Sequence, residues 1–523
     1  MSPSPSNRAD GRPDAPLGVR IGQELELTVL SMAHGGAGIA RHEGQAVFIR
    51  HVAPGERVRA RITELGRRNR FALARLLEVL QPSPDRRRHP WPAADALIRE
   101  EPVGGAEYGH LQPMAQRAAK AQVLRDQMVR LGGFSAEDPL IAGIVIRPVS
   151  RAFERAEEQE EPGNDAAPVG YRTRVHCAVS PEGEPGMHPH QSTRLIPVRH
   201  LPLATERVNA LGLGRQRWPG IQRIDIAAPE PLPQRSLPEE SLVEESLPAG
   251  SLSEPVSPPL VVFTAAPGQD PAQLVGPTLD TLRTAVTGPI SALLRPAPVP
   301  GRGRRDPAPF PPVTLCGEPF VIEQIRLPGS GEIASFRVGA GGFWQIHRAA
   351  PQLLAEQVAM LTGLAPGECA WDLYGGAGLF ARVLVEQVGA QGEVWSVEGS
   401  PVTAADAAHN VPAARSTCQD VARALRQRAG SGREGAGRAA DVVVLDPPRQ
   451  GAGGEVIELL DRAGPRRIVY IACDPAALGR DAGFLRERGW LLRSVSGWDL
   501  YPQTHHLEAI AVFDRNPQPS SRE

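Results

Sequence analysis

The 523-residue sequence predicts an α/β protein that combines a Rossmann-like doubly wound domain, a small N-terminal OB-like β-barrel and a discontinuous α+β central domain. Three observations predict this fold. From residue 350 onward, five apolar strands alternate with glycine turns and helices, as in a largely parallel sheet. Residues 19–80 hold short alternating runs between glycine-rich turns, which favours a barrel. Strand-like pieces in the middle are separated by acidic or proline-rich runs.

The expected domains follow from these changes of pattern. Three runs in the middle of the chain have too few apolar residues to form a core, so we expect them to be disordered insertions. The expected segments are tails at 1–18 and 517–523, the barrel at 19–80, a central domain at 81–349 with insertions near 151–168, 228–259 and 296–312, and the doubly wound domain at 350–516.

The composition is typical of a soluble globular protein, with 41% hydrophobic and 22% charged residues. No apolar run approaches the roughly 20 residues that a membrane span needs, and the polar, proline-rich start resembles no secretory signal. The 5 cysteines show no CxxC and no histidine spacing typical of a metal site. We therefore expect a cytoplasmic protein without a metal, a membrane contact or an obligate protein partner.

The barrel region is basic, although the whole chain has a net charge of −2. From Arg57 to Arg88 there are ten arginines against Glu64, Glu78 and Asp85. This segregation predicts a polyanionic partner such as nucleic acid. The alternative is a solvated face in a chain that uses arginine at nearly every basic position.

A glycine-rich loop, Asp372-Leu-Tyr374-Gly-Gly376-Ala-Gly378, follows the first strand of the doubly wound domain and opens a helix. Such a loop lets a ligand approach backbone N–H groups. Glu398 ends the next strand about twenty residues later, where a carboxylate can accept from ribose hydroxyls. Together they predict an adenosine-containing ligand. The loop is not a GxGxxG, and Asp372 favours S-adenosylmethionine over a dinucleotide; alternatively, Glu398 only stabilises a helix N-terminus.

Two further strands end in reactive groups. Asp446-Pro-Pro-Arg449 closes one strand, and its prolines hold the aspartate at a preset angle, although an ordinary strand exit is an alternative. Cys473 closes the next strand, just before a helix that begins at Pro475. The field of that helix N-terminus is expected to favour the thiolate, which is a nucleophile. A buried cysteine can also be inert packing.

The start of the last strand carries Glu508, which interrupts the apolar run LEAIAVF. A charged residue there is either exposed to solvent or placed for proton transfer. His506, two residues earlier, is either a ligand-binding side chain or an ordinary core or surface histidine.

In their order and spacing, these motifs resemble the RNA uracil-5-methyltransferases that use S-adenosylmethionine, the group of transfer-RNA and 23S ribosomal-RNA 5-methyluridine enzymes. The similar stretches are GGAGIAR at 35–41 to their N-terminal TRAM barrel, FWQIH at 343–347 to their FxQxN, residues 372–380 to DLYCGxGxF, 446–449 to DPPR, IACDPAALGRD at 471–481 to SCNPxTLARD, and 503–508 to QTxHxE.

The resemblance implies a role for each matching residue. Cys473 would be the nucleophile and Glu508 the general base. The implied cofactor site comprises Gln345, Tyr374, Gly376, Gly378, Leu379, Glu398, Asp420 and Asp446, and the implied uracil site comprises Gln345, Asp446, Arg449 and His506.

The sequence departs from the family pattern in several places. The cysteine after the tyrosine of DLYCG is Gly375 here, an asparagine near the end of that loop is Leu379, and the asparagine of FxQxN is His347. Many members hold an iron–sulfur cluster on a CGGC run, which Val103-Gly-Gly-Ala106 matches without any cysteine. We therefore expect no cluster.

The implied function is methyl transfer from S-adenosylmethionine to carbon 5 of a specific uridine in structured ribosomal or transfer RNA, through an adduct between Cys473 and carbon 6. Two alternatives stay open. An amino-group methyltransferase acting on RNA or DNA would use the DPPR motif without the cysteine. An RNA-binding protein that has lost catalysis would be consistent with the departures from the family pattern.

Overall fold

A computed structural model describes residues 18–149, 169–232, 256–298, 311–430 and 438–516. The expected tails and most of the three expected insertions lie outside these ranges, so their disorder stays a prediction. The first residues of the second insertion are described. There, Ala228 is fully buried and donates its N–H to the carbonyl of Thr173 at 2.8 Å, so the packed chain extends beyond the expected boundary.

The N-terminal domain is a six-stranded sheet that wraps one apolar core. Its strands are β1 (Glu24–Thr28), β2 (Ser31–Met32), β3 (Ala37–His42), β4 (Gln45–Arg50), β5 (Arg57–Leu65) and β6 (Phe71–Gln81), in the spatial order β1-β5-β6-β4-β3-β2. Alternate residues point inward, as the two-residue period of a strand requires, and they form a core that includes Leu27, Ile49 and Ile62.

Ion pairs neutralise part of the basic charge of this domain. Five arginines contact glutamates from neighbouring segments: Arg57 with Glu26, Arg59 with Glu78, Arg61 with Glu24, Arg75 with Glu100 and Arg86 with Glu56. The exposed Arg67, Arg68 and Arg70 in the turn between β5 and β6 have no acidic partner among the described residues. We call residues 67–70 the arginine turn.

The central region contains a seven-stranded sheet and a separate hairpin. Its elements are α1 (Pro113–Arg130), α2 (Pro139–Ala142), β7 (Ile146–Arg147), β8 (Arg174–Val179), β9 (Pro185–Met187), β10 (Ile196–Pro197), α3 (Glu206–Asn209), β11 (Ile221–Ala227), β12 (Leu260–Ala265), α4 (Pro271–Ala285), β13 (Ser291–Arg295) and β14 (Val313–Cys316), then β15 (Phe320–Arg326) and β16 (Ile333–Gly339). The sheet order is β10-β9-β8-β11-β12-β13-β14, and β15 pairs with β16.

The C-terminal domain is the expected doubly wound sheet. Its elements are α5 (Ala350–Thr362), β17 (Cys369–Leu373), α6 (Leu379–Val388), β18 (Glu393–Glu398), α7 (Pro401–Asn410), β19 (Arg415–Cys418), α8 (Val421–Gly430), β20 (Val442–Leu445), α9 (Gly453–Ala463), β21 (Arg467–Ala472), α10 (Pro475–Glu487), β22 (Trp490–Trp498) and β23 (Glu508–Arg515). The eight-stranded order is β19-β18-β17-β20-β21-β23-β22-β7. The five expected strands are joined by β19, by β22 and by β7 from the central region.

The direction of the last strand decides where its residues lie. Strands β17 to β21 run parallel, whereas β23 is antiparallel to both β21 and β22. The start of β23 therefore lies at the same edge of the sheet as the carboxyl ends of β20 and β21. None of the helices in the described ranges is long and apolar enough to cross a lipid bilayer.

A buried ion pair ties α1 to the loop that precedes β23. Lys120 is fully buried, and its Nζ donates to Asp499 Oδ1 at 2.5 Å and to the carbonyl of Tyr501 at 3.0 Å. Asp499 is buried as well. Removing one partner of such a pair leaves the other charge without compensation in a poorly solvated place.

We expect Lys120→Met to lower the free energy of unfolding by about 3–5 kcal/mol, because the buried Asp499 loses its partner. Arg462→Ala, which breaks an exposed pair with Glu458, should cost no more than about 0.5 kcal/mol. Urea unfolding followed by circular dichroism measures both. Equal midpoints for the two variants would contradict the role assigned to the buried pair.

Candidate active site

The two expected catalytic residues lie next to each other at one edge of the sheet. Cys473 follows β21, and Glu508 is the first residue of β23. In the antiparallel ladder Ala472 faces Ala509, so Cys473 and Glu508 are opposite each other one step further on. Residues opposite each other in such a ladder have Cβ atoms about 5 Å apart and point to the same face. The thiol and the carboxyl therefore lie on the same face of the sheet, and we call the space beside them the catalytic pocket.

Asp446 and Arg449 complete this cluster from the neighbouring strand. Asp446 directly follows β20, which runs parallel to β21. Burial raises the pKa of Cys473, the charges of Glu508 and Asp446 raise it further, and the charge of Arg449 lowers it, so these three charged groups all act on the thiol.

The prediction that Cys473 is acidic is wrong for the free site. Burial raises the pKa of its thiol to about 12, and the charges of Glu508 and Asp446 act in the same direction. The helix N-terminus that was expected to stabilise the thiolate is already used by Asp474. Its Oδ1 accepts the N–H groups of Ala476 at 3.0 Å and Ala477 at 2.8 Å. The free N–H groups therefore serve a capping carboxylate rather than the sulfur.

The carboxyls in the pocket resist ionisation. Burial raises the pKa of Asp446 to about 7, with a further contribution from the charges of Asp372 and Glu398. Burial, followed by the charge of Asp446, also holds the pKa of Glu508 well above its ordinary value. A carboxyl with a raised pKa is a good proton acceptor once ionised and a hydrogen-bond donor while neutral.

The loop that leads into Glu508 is held by buried polar contacts. Besides Lys120, the side chain of Gln116 accepts the N–H of Gln503 at 2.7 Å, and the hydroxyl of Tyr171 donates to the carbonyl of Pro502 at 3.0 Å. Within the loop, the hydroxyl of Tyr501 lies 3.4 Å from Glu508 Oε2. The position of Glu508 is thus fixed from two sides.

His506 and Arg449, two residues of the expected uracil site, contact each other. Arg449 Nη2 lies 3.3 Å from His506 Nε2. Burial lowers the pKa of His506 to about 3, and the charges of His505 and Arg449 add to this effect. His506 is therefore neutral at physiological pH and accepts a hydrogen bond from the guanidinium, as an uncharged part of the expected uracil site.

The glycine loop after β17, together with Asp372 and Glu398, forms a second candidate site, which we call the cofactor pocket. Tyr374, Gly376 and Gly378 have positive φ angles of 65°, 54° and 95°, and a Cβ at Gly376 would meet open space. Glu398 Oε2 accepts the N–H of Gly376 at 3.0 Å, and its Oε1 accepts that of Ser400 at 2.6 Å. Each oxygen keeps a lone pair for a further donor.

This pocket fits S-adenosylmethionine. Asp372 Oδ1 is buried without a hydrogen-bond partner, and burial raises the pKa of this carboxyl to about 7. A buried acceptor without a partner is costly unless a ligand satisfies it. An oriented carboxylate at Glu398, open space over Gly376 and this unpaired oxygen together suit the ribose hydroxyls and the cationic part of such a cofactor.

Gly375, where the family pattern has cysteine, is explained by packing. A Cβ there would lie 2.3 Å from Ser396 Oγ and 2.6 Å from Asp372 Oδ2, so these two side chains fill the space of a larger residue. His347 has a local role. Its Nδ1 accepts the N–H of Ala349 at 3.1 Å, and its ring stacks on Tyr171 at 5.0 Å.

Three expected cofactor residues lie outside the centre of these pockets. Leu379 is buried in the apolar core beside Phe380. Asp420 is exposed; it accepts the N–H of Arg423 at 3.0 Å, and its charge contributes to the raised pKa of Tyr374. Gln345 is buried and lines a small pocket with Glu323, and no hydrogen bond joins it to the catalytic cluster within the described ranges.

Apolar side chains occupy the positions that match cluster ligands in related sequences. Val103 and Ala106 are buried in one cluster with Trp91, Ile196 and Val198. These residues offer no donor atoms for iron. Among the described residues, no group of three or more histidine, cysteine, aspartate or glutamate side chains is arranged to hold a metal ion.

Sequence reasoning missed three residues of the site. Asp474 and Lys120 contact segments far away in the chain, at His34 and Asp499, whereas Tyr501 contacts Glu508 only 7 positions further on. The one usable signal was Asp474-Pro475, an aspartate before a proline at a helix start, which is typical of an N-cap.

Two family models match the sequence. One, described as TRAM domain, matches residues 18–77, and the other, described as tRNA (Uracil-5-)-methyltransferase, matches residues 374–516. An uncharacterized RNA methyltransferase of Streptomyces coelicolor is 35% identical over 499 residues, which cover 94% of this chain and 93% of the relative. A 23S rRNA (uracil(1939)-C(5))-methyltransferase of Alkalilimnicola ehrlichii is 29% identical, covering 95% and 98%.

A solved structure shares the fold. The tRNA (uracil-54, C5)-methyltransferase of Pyrococcus abyssi, in complex with S-adenosyl-L-homocysteine, superposes with a TM-score of 0.58 at 16% identity. The match covers 94% of this chain and 100% of that chain. It confirms the predicted fold class.

We expect alkylation of Cys473 by iodoacetamide to become about tenfold faster per pH unit between about pH 7 and 10, because only the thiolate reacts and the pKa of the thiol is about 12. Peptide mass spectrometry measures the rate at this one cysteine. A rate that levels off below pH 9 would show that the thiol is acidic in the free protein.

Proposed function

Since the chain belongs to the S-adenosylmethionine-dependent RNA uracil-5-methyltransferases, as its motifs predicted, we propose that it methylates carbon 5 of one specific uridine in ribosomal or transfer RNA through a covalent adduct of Cys473. The observation that carries this proposal is the position of Cys473 and Glu508 at facing ends of β21 and β23. We also propose that the reaction takes place in the cytoplasm, where ribosomal and transfer RNA are found.

The chemistry requires a nucleophile because carbon 5 of uracil is weakly nucleophilic. The sulfur of Cys473 forms a bond to carbon 6, and the electron pair of the 5,6 double bond moves toward the ring carbonyl as an enolate. The thiol proton passes to Asp446, whose pKa of about 7 leaves a large fraction ionised at neutral pH. As a neutral acid, Asp446 then donates a hydrogen bond to the enolate oxygen.

The remaining steps restore the 5,6 double bond of the ring. When bound, S-adenosylmethionine supplies an electrophilic methyl group for carbon 5. Glu508 then removes the proton from carbon 5, the carbon–sulfur bond at carbon 6 breaks, and Cys473 leaves as the thiolate. Glu508 acts in its ionised form, so it first loses its own proton to solvent, and its raised pKa then makes it bind the proton from carbon 5 firmly. Glu398, Gly376 and Asp372 would hold the cofactor.

The substrate must present an unstacked uridine. Carbon 5 is inaccessible within a stacked strand, and extruding a nucleotide costs a few kcal/mol, least in single-stranded loops. The TRAM domain supports binding of such RNA, and the arginine turn offers its unpaired positive charges to phosphates.

We expect Cys473→Ala to abolish both methyl transfer and the covalent adduct with RNA that contains 5-fluorouridine, since both need the sulfur. In Glu508→Gln, Cys473 should still add to the ring, and a methylated adduct should accumulate because the glutamine cannot remove the proton from carbon 5. RNA from a strain lacking the gene is the substrate; denaturing gels detect the adduct, and mass spectrometry of nucleosides detects the product. Full activity of Cys473→Ala would favour the amino-group methyltransferase.

A chain without measurable affinity for S-adenosylmethionine would support the RNA-binding alternative instead. Isothermal titration of the wild-type protein measures this affinity, and Glu398→Gln should weaken it at least tenfold because the ribose hydroxyls lose their charged acceptor.

We expect Arg67→Gln/Arg70→Gln to weaken RNA binding and to reduce the slope of log affinity against log salt by about 1.5, since each lost phosphate contact contributes about 0.7–0.9. The matched control removes Arg57 and Arg61 together with Glu26 and Glu24, so two arginines are lost without a change in net charge. Filter binding to unmodified 23S rRNA and tRNA transcripts measures the slopes. Equal slopes in both variants would exclude the arginine turn as the contact.

A further inference from the structure

The barrel is seated firmly against the rest of the protein. Met32, at the end of β2, and Ala53 are buried in one apolar cluster with Tyr108, Leu111 and Val123 of the central region. Met32 is followed directly by a tight turn, residues 33–36. The position of this turn relative to the active site is therefore fixed by a packed core rather than by a flexible linker.

One side chain of this turn contacts the residue after the nucleophile. His34 Nε2 lies 3.1 Å from Asp474 Oδ2. The other oxygen of Asp474 caps α10 through the N–H groups of Ala476 and Ala477. One carboxylate oxygen of Asp474 thus contacts the C-terminal domain and the other contacts the barrel. Cys473 directly precedes Asp474 in the chain.

A second residue of the turn contacts the loop that carries the base. Gly36 has a φ of 85°, and a Cβ there would lie 2.8 Å from the Cβ of His505. The ring of His505 in turn lies 4.0 Å from that of His506. Only glycine allows this backbone conformation and this close approach without displacing the loop.

We propose that residues 33–36 of the TRAM barrel form a wall of the catalytic pocket and that His34 is a positioning residue for Cys473, which it acts on through Asp474. The barrel then contributes to the chemical step, beyond any contribution to RNA affinity. This inference rests on the proposed role of Cys473.

Charge supports the same assignment. The hydrogen bond to Asp474 raises the pKa of His34, and the bond from His34, together with the helix N–H groups, lowers the pKa of Asp474 despite its burial. The negative charge of Asp474 contributes to the raised pKa of Cys473. In the family motif SCNPxTLARD the matching residue is asparagine, so this chain places an extra charge beside the nucleophile and a histidine that can balance it.

The test compares His34→Ala, His34→Gln and the control His42→Ala, which changes a histidine at the other end of β3. Adduct formation with 5-fluorouridine RNA is measured in single turnovers at saturating RNA, and the RNA dissociation constant is measured separately. We expect His34→Ala to slow adduct formation at least tenfold with a dissociation constant within threefold of wild type. His34→Gln, which can still donate to Asp474, should recover most of the rate, and His42→Ala should match wild type.

Two results would overturn the inference: a wild-type rate for His34→Ala at saturating RNA, or a loss that lies wholly in the dissociation constant. If the wild-type protein itself forms no adduct, the proposed function has failed. The inference is then tested separately, by comparing the rate of alkylation of Cys473 without RNA in wild type and in His34→Ala. A rate several-fold lower in His34→Ala, with the exposed Cys418 unchanged as internal reference, supports it. An equal or higher rate at Cys473 rejects it.

Discussion

The antiparallel pairing of β23 with β21 is the constraint on which the active site depends. In a sheet made only of parallel strands, the first residue of a strand lies at the edge opposite to the last residue of its neighbour. The reversal of one strand brings Glu508, a first residue, beside Cys473, which follows a last one. A thiol and a carboxyl from segments 35 positions apart thereby share one face of the sheet, with Asp446 alongside.

Placing these groups together in a buried pocket is energetically unfavourable, and it changes their pKa values in a way that serves the reaction. Burial and mutual repulsion raise the pKa values of Cys473 and Asp446 to about 12 and about 7. The free protein thus holds Cys473 as a neutral thiol until a substrate changes the surroundings. The loop before Glu508 is fixed by Lys120, Gln116 and Tyr171, so these groups are held in position while they are still unreactive.

The sequence was most informative where local rules decide the structure. Apolar strand runs and glycine turns predicted the doubly wound sheet and the loop at Gly376, because strand period and positive φ are local properties. Predictions from the sequence were misleading where segments distant in the chain meet. The acidity predicted for Cys473 ignored two carboxylates from other strands and the capping carboxylate of Asp474. The basic excess of the barrel ignored the glutamates of β1. Leu379 looked like a loop residue, but it packs into the core because α6 begins there.

The buried ammonium of Lys120 has a practical consequence for work on this molecule. Lys120 is the only lysine in the sequence, and its side chain is fully enclosed. The folded molecule therefore offers no lysine to reagents that attack primary amines, and its contacts with polyanions rest on guanidinium groups. Labelling of Lys120 would require that α1 separate from the segment around Asp499. The rate at which an amine reagent modifies Lys120 would therefore report how often these two segments separate.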